Sequence, residues 1–160
     1  MLRFRDADVT DPDAHRLLDA YFAERAEGFP PEQGAYRPTW PEPARFTPPV
    51  GVFLIVEDES GEAVGCGGVR RVADADDGTV RFEVKHLWLA PAGRGRGEGR
   101  RLLLELERRA VGFGAGELVL DTNASLEAAG GLYRSSGYVD IPPYNANPNA
   151  TNWYGKRVRA

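Results

Sequence analysis

The stretch Arg94 to Leu104, RGRGEGRRLLL, constrains this chain more than any other, because it sets three glycines and four arginines between an apolar strand pattern and a leucine-rich helical run. A strand that ends at Ala90 and Pro91, turns through small residues and enters a helix leaves its first amide N–H groups unpaired, with the positive end of the helix dipole behind them. Glycine at 95, 97 and 99 lets a bulky anion approach those amides without meeting a side chain. The arginines at 94, 96, 100 and 101 add positive charge around the turn. Two familiar phosphate loops fail on spelling. A P-loop requires Gly-Lys-Ser/Thr, and here Gly99 is followed by Arg100 and Arg101. The dinucleotide fingerprint requires a glycine where Arg100 stands when counted from Gly95.

The flanks set the architecture. Residues Leu2 to Arg5 read as a short strand, and Asp11 and Pro12 open a helix through Arg25 with Leu17, Leu18, Tyr21 and Phe22 on one face. The segment from Gly28 to Pro49 is proline-rich, yet its Tyr36, Trp40 and Phe46 are too many aromatics for a linker. Val52 to Val56 and Val64 to Val72 read as a hairpin, followed by a strand from Val80 to Ala90. The next helix, Gly97 to Phe113, buries Leu102, Leu103, Leu106, Ala110, Val111 and Phe113. A strand at Leu118 to Leu120, a helix from Ser125 to Ser136 and strands near Tyr138 and Trp153 to Val158 complete the chain. Within the Val80 to Ala90 strand, Phe82 and Val84 keep one alternation phase while Leu87 and Leu89 keep the other, which predicts a bulge near Lys85 to Leu87.

At 160 residues the chain is read as one domain, residues 1–160, able to bury roughly 70% of its unfolded surface. A net charge of −4 argues against nucleic acid, whose surface selects a basic excess. The N-terminus is charged from its third residue, no apolar run is long enough for a membrane helix, and the cytoplasm is the expected location. Cys66 is the single cysteine, which excludes an intramolecular disulfide and a cysteine-based zinc site, and no metal is expected.

The pattern Arg/Gln-x-x-Gly-x-Gly/Ala, present as Arg94, Gly97 and Gly99, together with FEVKHLWLAP, GRRLLLELE and GLYRSSGY, resembles the GNAT N-acyltransferase superfamily from about Val52 to Val158. The flavour is that of small stand-alone bacterial acetyltransferases. The resemblance implies an α/β (α+β) fold with a mixed, mostly antiparallel sheet, a central splay and flanking helices. It also implies acetyl-CoA as cosubstrate, held by Leu87, Trp88, Leu89, the turn Arg94, Gly95, Arg96, Gly97, Glu98, Gly99 and Arg100, Asn123 and Tyr133.

Acyl transfer to an amine requires that the thioester be held, the diphosphate neutralised, a proton taken from an ammonium and the departing thiolate protonated. Glu83, four residues before Leu87, stands where related enzymes place a base acting through water, and its plainer reading is a solvated residue on a polar strand face. His86 is the rival base, with a packed role in the bulge as its plainer reading. Tyr133 stands where the superfamily's tyrosine approaches the sulfur as acid. Asn123 is equally suited to contacting the cosubstrate or to capping the next helix. Tyr36, Trp40, Tyr144 and Asn145 are candidates to wall the acceptor side. Cys66 reads as a small buried residue, so direct transfer is favoured over a cysteinyl intermediate.

The expected function is therefore acetyl-CoA-dependent transfer to an amine of a small molecule or a protein, with homodimers common among similar proteins. The alternative is a non-catalytic acyl-CoA sensor, which a Glu83 buried in an ion pair away from the cleft would favour.

Overall fold

The computed structural model describes residues 1–159. Its sheet is assembled from β1 (Arg3–Asp6), β2 (Gly51–Glu57), β3 (Ala63–Val72), β4 (Arg81–Leu89), β5 (Glu117–Thr122), β6 (Val139–Asp140) and β7 (Asn152–Arg157). Helices α1 (Pro12–Glu27), α2 (Glu98–Gly112) and α3 (Glu127–Ser135) cover it. The strand order is β1-β2-β3-β4-β5-β7-β6, antiparallel throughout except for β4 against β5. This is the mixed, mostly antiparallel α/β architecture that the sequence implied.

Alternation explains the layers. On β2, Val52, Leu54 and Val56 join the cluster formed with Leu102, Leu103 and Leu106 of α2, whereas Phe53 and Ile55 join Leu17, Leu18 and Phe22 of α1. Successive strand side chains point to opposite faces, so a strand covered on both faces is apolar at every position. Helix α1 starts where the Asp11 side chain accepts a hydrogen bond from the Asp13 amide at 2.8 Å, with Pro12 in the first turn. It runs two residues beyond the expected Arg25 end. The Gly28 to Pro49 segment holds two short 3-10 turns, Pro31–Gln33 and Pro43–Phe46, and seats the buried Phe46 ring against Phe53 and His86.

Two features of the sheet create the site. The first is the expected bulge: β3 pairs Cys66 with Trp88 and Gly68 with Lys85, so His86 and Leu87 together face Gly67 alone. His86 takes a left-handed φ of 57° there. Beyond the bulge, β3 and β4 come so close that a Cβ on Gly65 would lie 2.7 Å from the Trp88 carbonyl oxygen, which only glycine permits. The second feature is a splay. Strand β4 pairs with β5 only through Arg81, Phe82 and Glu83, opposite Glu117, Leu118 and Val119. Past that point β4 stays with β3 as far as Leu89 while β5 continues with β7 as far as Thr122. The backbone from Val84 to Leu89 thus has one edge without a strand partner.

Candidate active site

A cavity of about 740 Å³ occupies the splay. Its walls include Val84 to Leu89 on β4, Asp121 and Thr122 on β5, Tyr133 on α3, Tyr21 and Arg25 on α1, and Arg94, Gly95 and Gly99 of the turn. It therefore joins the anion turn to the middle of the sheet.

The turn is built as its glycines dictate. After Pro91–Gly93 the chain is extended at Arg94, left-handed at Gly95 (φ 80°) and left-handed again at Gly97 (φ 77°), the residue that caps α2. Gly97 has no side chain to satisfy the first amides, and the first backbone bond of α2 runs from the Arg101 amide to the Gly97 carbonyl at 3.2 Å. Among the described residues, no acceptor pairs with the amides of residues 95 to 100. Nothing lies within 4 Å of where a Cβ would stand at Gly95 or Gly97, so the amides are open to a ligand.

The arginines of the turn are distributed differently from the expectation. The Arg94 guanidinium turns back, donating from Nε to the Leu89 carbonyl at 2.8 Å and from Nη2 to Glu24 at 2.8 Å. The Glu24 carboxylate also accepts from the Trp88 indole at 3.2 Å, so Arg94 and Trp88 brace α1 against the end of β4. Arg101 pairs with Glu98 inside the first turn of α2. Arg100 donates to the Ser135 hydroxyl at 2.9 Å, a neutral partner that leaves its charge at the turn. Arg96 has no side-chain partner among the described residues. The anion turn is thus made chiefly of backbone, assisted by Arg96 and Arg100.

Tyr133 stands on α3 in the wall of the cleft. The ring packs against Tyr138 and Tyr154, and the residue lines the cleft with no hydrogen-bond partner for its hydroxyl among the described residues. Burial raises its pKa well above the usual phenol value, with Tyr21 and Asp121 adding to the shift and Arg25 opposing it. Gly130 and Gly131, each unfavourable in a helix by about 1 kcal/mol relative to alanine, do not prevent α3 from forming around it.

Glu83 is placed otherwise. It is 1% exposed, outside the cleft wall, with Oε1 taken by Arg70 at 2.9 Å and Oε2 accepting from the Tyr144 hydroxyl at 2.6 Å. It reaches the cleft only through Arg70, which does line it. Tyr144 is consequently a partner of Glu83 rather than an acceptor wall, and burial first, then the Glu83 charge, raises its pKa far above the ordinary value. His86 lines the cavity but packs edge-on to Tyr21 and Phe22, and its buried Nδ1 has no partner. Desolvation lowers its pKa to about 3, aided by Lys85 and Arg70, so the ring is neutral and the packed reading of His86 holds over the base reading. Cys66 is fully buried, donates to the His86 carbonyl at 3.3 Å, and has its thiol pushed up to about 12 by burial, which suits a small packed residue.

Asn123 is turned away from the cleft wall. Its Oδ1 accepts from the Ser125 amide at 3.0 Å and its Nδ2 donates to Gln33 at 2.7 Å and to the Asn149 carbonyl at 3.1 Å. The local turn role prevails over contact with a ligand. Leu87, Trp88 and Leu89 line the cleft with Arg94, Gly95 and Gly99, while Arg96, Gly97, Glu98 and Arg100 form the adjoining turn. Tyr36, Trp40 and Asn145 line it too.

Five charged cleft residues escaped the sequence reading as site residues: Arg25, Arg37, Arg70, Lys85 and Asp121. Asp121 sits on β5 between the Lys85 ammonium at 3.5 Å and the Asn145 amide at 2.7 Å. A charge at the end of the apolar run Leu118 to Leu120 was the available signal. The pairing of Arg70 with Glu83 and of Lys85 with Asp121 had none, because it depends on how the strands align.

Comparison with known proteins agrees with this geometry. An uncharacterized N-acetyltransferase of Schizosaccharomyces pombe is 35% identical over 104 residues, 65% of this chain and 61% of the relative, so the chain spans about three fifths of that relative's length. A GNAT-family acetyltransferase of Staphylococcus aureus superposes with a TM-score of 0.76 at 13% identity, covering 98% of this chain and 99% of that one. A GNAT-family acetyltransferase of Elizabethkingia anophelis, solved with acetyl-CoA bound, gives a TM-score of 0.64 at 14% identity over 98% of each chain. These two share the fold. The Acetyltransferase (GNAT) family model matches residues 14–138, and with most of its length matched this chain belongs to that family.

Proposed function

We propose that this protein is an acetyl-CoA-dependent N-acetyltransferase that moves the acetyl group directly to a primary amine within a ternary complex. The observation that carries the reading is the continuity of one cleft from the open turn amides to the unpartnered Tyr133 hydroxyl. The residues present fit such a cosubstrate: open amides over Gly95 and Gly97 for a diphosphate, and an unpaired β4 edge for the amide-bearing arm. Bound there, acetyl-CoA supplies the activated acyl group.

The chain's own residues then divide the work. The amides of residues 95 to 100 hold the diphosphate, with Arg96 and Arg100 near it. The backbone of Leu87 and Leu89 aligns the arm as an added strand would. Tyr133 keeps a proton at its hydroxyl, which lines the cleft without a hydrogen-bond partner among the described residues, for the departing sulfur. Asp121, in the cleft wall, is better placed than Glu83 to receive the proton that the amine sheds. Glu83 is a positioning residue that fixes Arg70 and Tyr144. No groups of acidic, histidine or cysteine side chains suited to a metal occur among the described residues.

The sequestered Glu83 is the specific observation on the side of a non-catalytic acyl-CoA sensor. Calorimetry with acetyl-CoA on the wild type and on Gly97→Trp, followed by thiol release with a panel of amines, separates the readings. Binding lost in the variant together with amine-dependent thiol release supports the enzyme. Binding without release with any amine supports the sensor, and no binding refutes both.

A further inference from the structure

The cleft wall carries more cations than carboxylates, the latter being Glu24, Asp121 and Glu127. It carries five guanidinium or ammonium side chains, those of Arg25, Arg37, Arg70, Lys85 and Arg94. Three have carboxylate partners: Arg70 with Glu83 at 2.9 Å, Lys85 with Asp121 at 3.5 Å and Arg94 with Glu24 at 2.8 Å. Arg25 and Arg37 have none within 4 Å among the described residues. Arg25 is half-buried, and its guanidinium is held in place, 5.1 Å from the centre of the Tyr36 ring and donating to the Tyr21 hydroxyl at 3.2 Å. Arg37 belongs to a segment pinned at both backbone groups by Asn149, at 3.0 Å to its amide and 2.7 Å to its carbonyl.

A guanidinium partly removed from water and fixed by aromatic faces, yet without a counter-ion, is a pre-organised anion receptor. Asp121 and Tyr133 line the same cavity, Asp121 from β5 with its carboxylate 3.5 Å from the Lys85 ammonium and accepting from the Asn145 amide at 2.7 Å. The cavity wall thus carries an unpaired cation from α1 and, from β5, a carboxylate shared with Lys85 and Asn145.

We infer that the amine acceptor carries a carboxylate, bound by the Arg25 guanidinium with Arg37 beside it, while its amino group is directed toward Asp121 and Tyr133. This rests on the acetyltransferase reading above and narrows its acceptor to amino acids or similar amino carboxylates. A planar carboxylate matches the fork of a single guanidinium, and Arg25, bonded to the neutral Tyr21 hydroxyl and set against Tyr36, has no carboxylate partner among the described residues.

The test uses matched pairs, L-methionine, L-phenylalanine and L-glutamate against their α-carboxamides, with thiol release as the first readout. The acid should exceed its amide in kcat/KM by about tenfold or more in at least one pair, the usual worth of a charge-assisted contact. Arg25→Gln should collapse that ratio, chiefly through KM for the acid, and Arg25→Lys should restore part of it. A wild type that prefers no acid, or a ratio that survives Arg25→Gln, overturns the inference. Calorimetry of the same pairs against protein saturated with CoA keeps the outcome readable in the absence of turnover. If no amine releases thiol yet an acid binds better than its amide through Arg25, the acetyltransferase reading fails and the carboxylate site stands. If acetyl-CoA affinity itself falls with Arg25→Gln, Arg25 serves the cosubstrate and the inference is wrong.

Discussion

Arg70 and Glu83 are direct register partners across β3 and β4, and the guanidinium lies 2.9 Å from a carboxylate that is 1% exposed. Removing the cation strands a charge that the fold has already taken out of water. Arg70→Met is expected to cost about 3 kcal/mol, more than Tyr144→Phe, which removes one hydrogen bond to the same carboxylate. Urea unfolding of the single variants and of each combined with Glu83→Gln should show coupling of about 1 kcal/mol or more. Additive losses would mean that the pair is not a unit. The same Glu83→Gln protein tests its chemical role: a loss of kcat beyond about 100-fold would restore Glu83 as the base, and a smaller one fits positioning.

Tyr133→Phe deletes a cleft hydroxyl that has no hydrogen-bond partner among the described residues. The expected result is a fall in kcat of about 100-fold, with acetyl-CoA affinity changed by no more than about threefold. Equal losses in kcat and in affinity would mark Tyr133 as a packing residue instead.

The neutral His86 makes stability depend on pH. Its folded pKa, about 3, lies below its ordinary value of 6.5, so the unfolded chain binds more protons between those limits and stability rises with pH there. The contribution is fully present above the unfolded pKa and is lost as pH falls toward 3. Between pH 7 and pH 5.5 the loss should be about 1 kcal/mol. Denaturant melts at the two pH values should show it in the wild type and not in His86→Asn, a residue that tolerates the left-handed φ of 57°. An unchanged slope in the variant would assign the pH dependence elsewhere.

Gly65→Ala would set a Cβ 2.6 Å from a Leu89 methyl and 2.7 Å from the Trp88 carbonyl oxygen. Because the close atoms include backbone, β4 must move, at a cost of about 1–3 kcal/mol. The displaced segment carries Leu89, to which Arg94 is bonded at the start of the anion turn. Acetyl-CoA binding should therefore weaken with stability. A variant that melts lower yet binds normally would uncouple the bulge from the turn.

Much of this protein was legible in its chain because the relevant physics is local. The glycine spacing in RGRGEGRRLLL fixes where the backbone turns left-handed and where α2 begins, and the phase slip between Val84 and Leu87 announces the bulge that His86 occupies. Burial of Leu102, Leu103, Leu106 and Ala110 follows from helical period alone. The same local signals located the open amides of the turn, whereas Tyr133 was singled out by the family resemblance of GLYRSSGY.

What the tertiary structure alone decided is which charges remain free. Arg94 looked like a phosphate ligand until α1 brought Glu24, 70 residues away, to meet it. Glu83 looked like an exposed base until strand register set Arg70 opposite and the tail delivered Tyr144 from 61 residues away. Arg25 and Asp121 gained significance only through what did not pair with the first and what hemmed in the second. Turns and periodicities are properties of neighbours along the chain, whereas the partner of a long charged side chain is chosen when distant elements pack, by geometry that no spacing records.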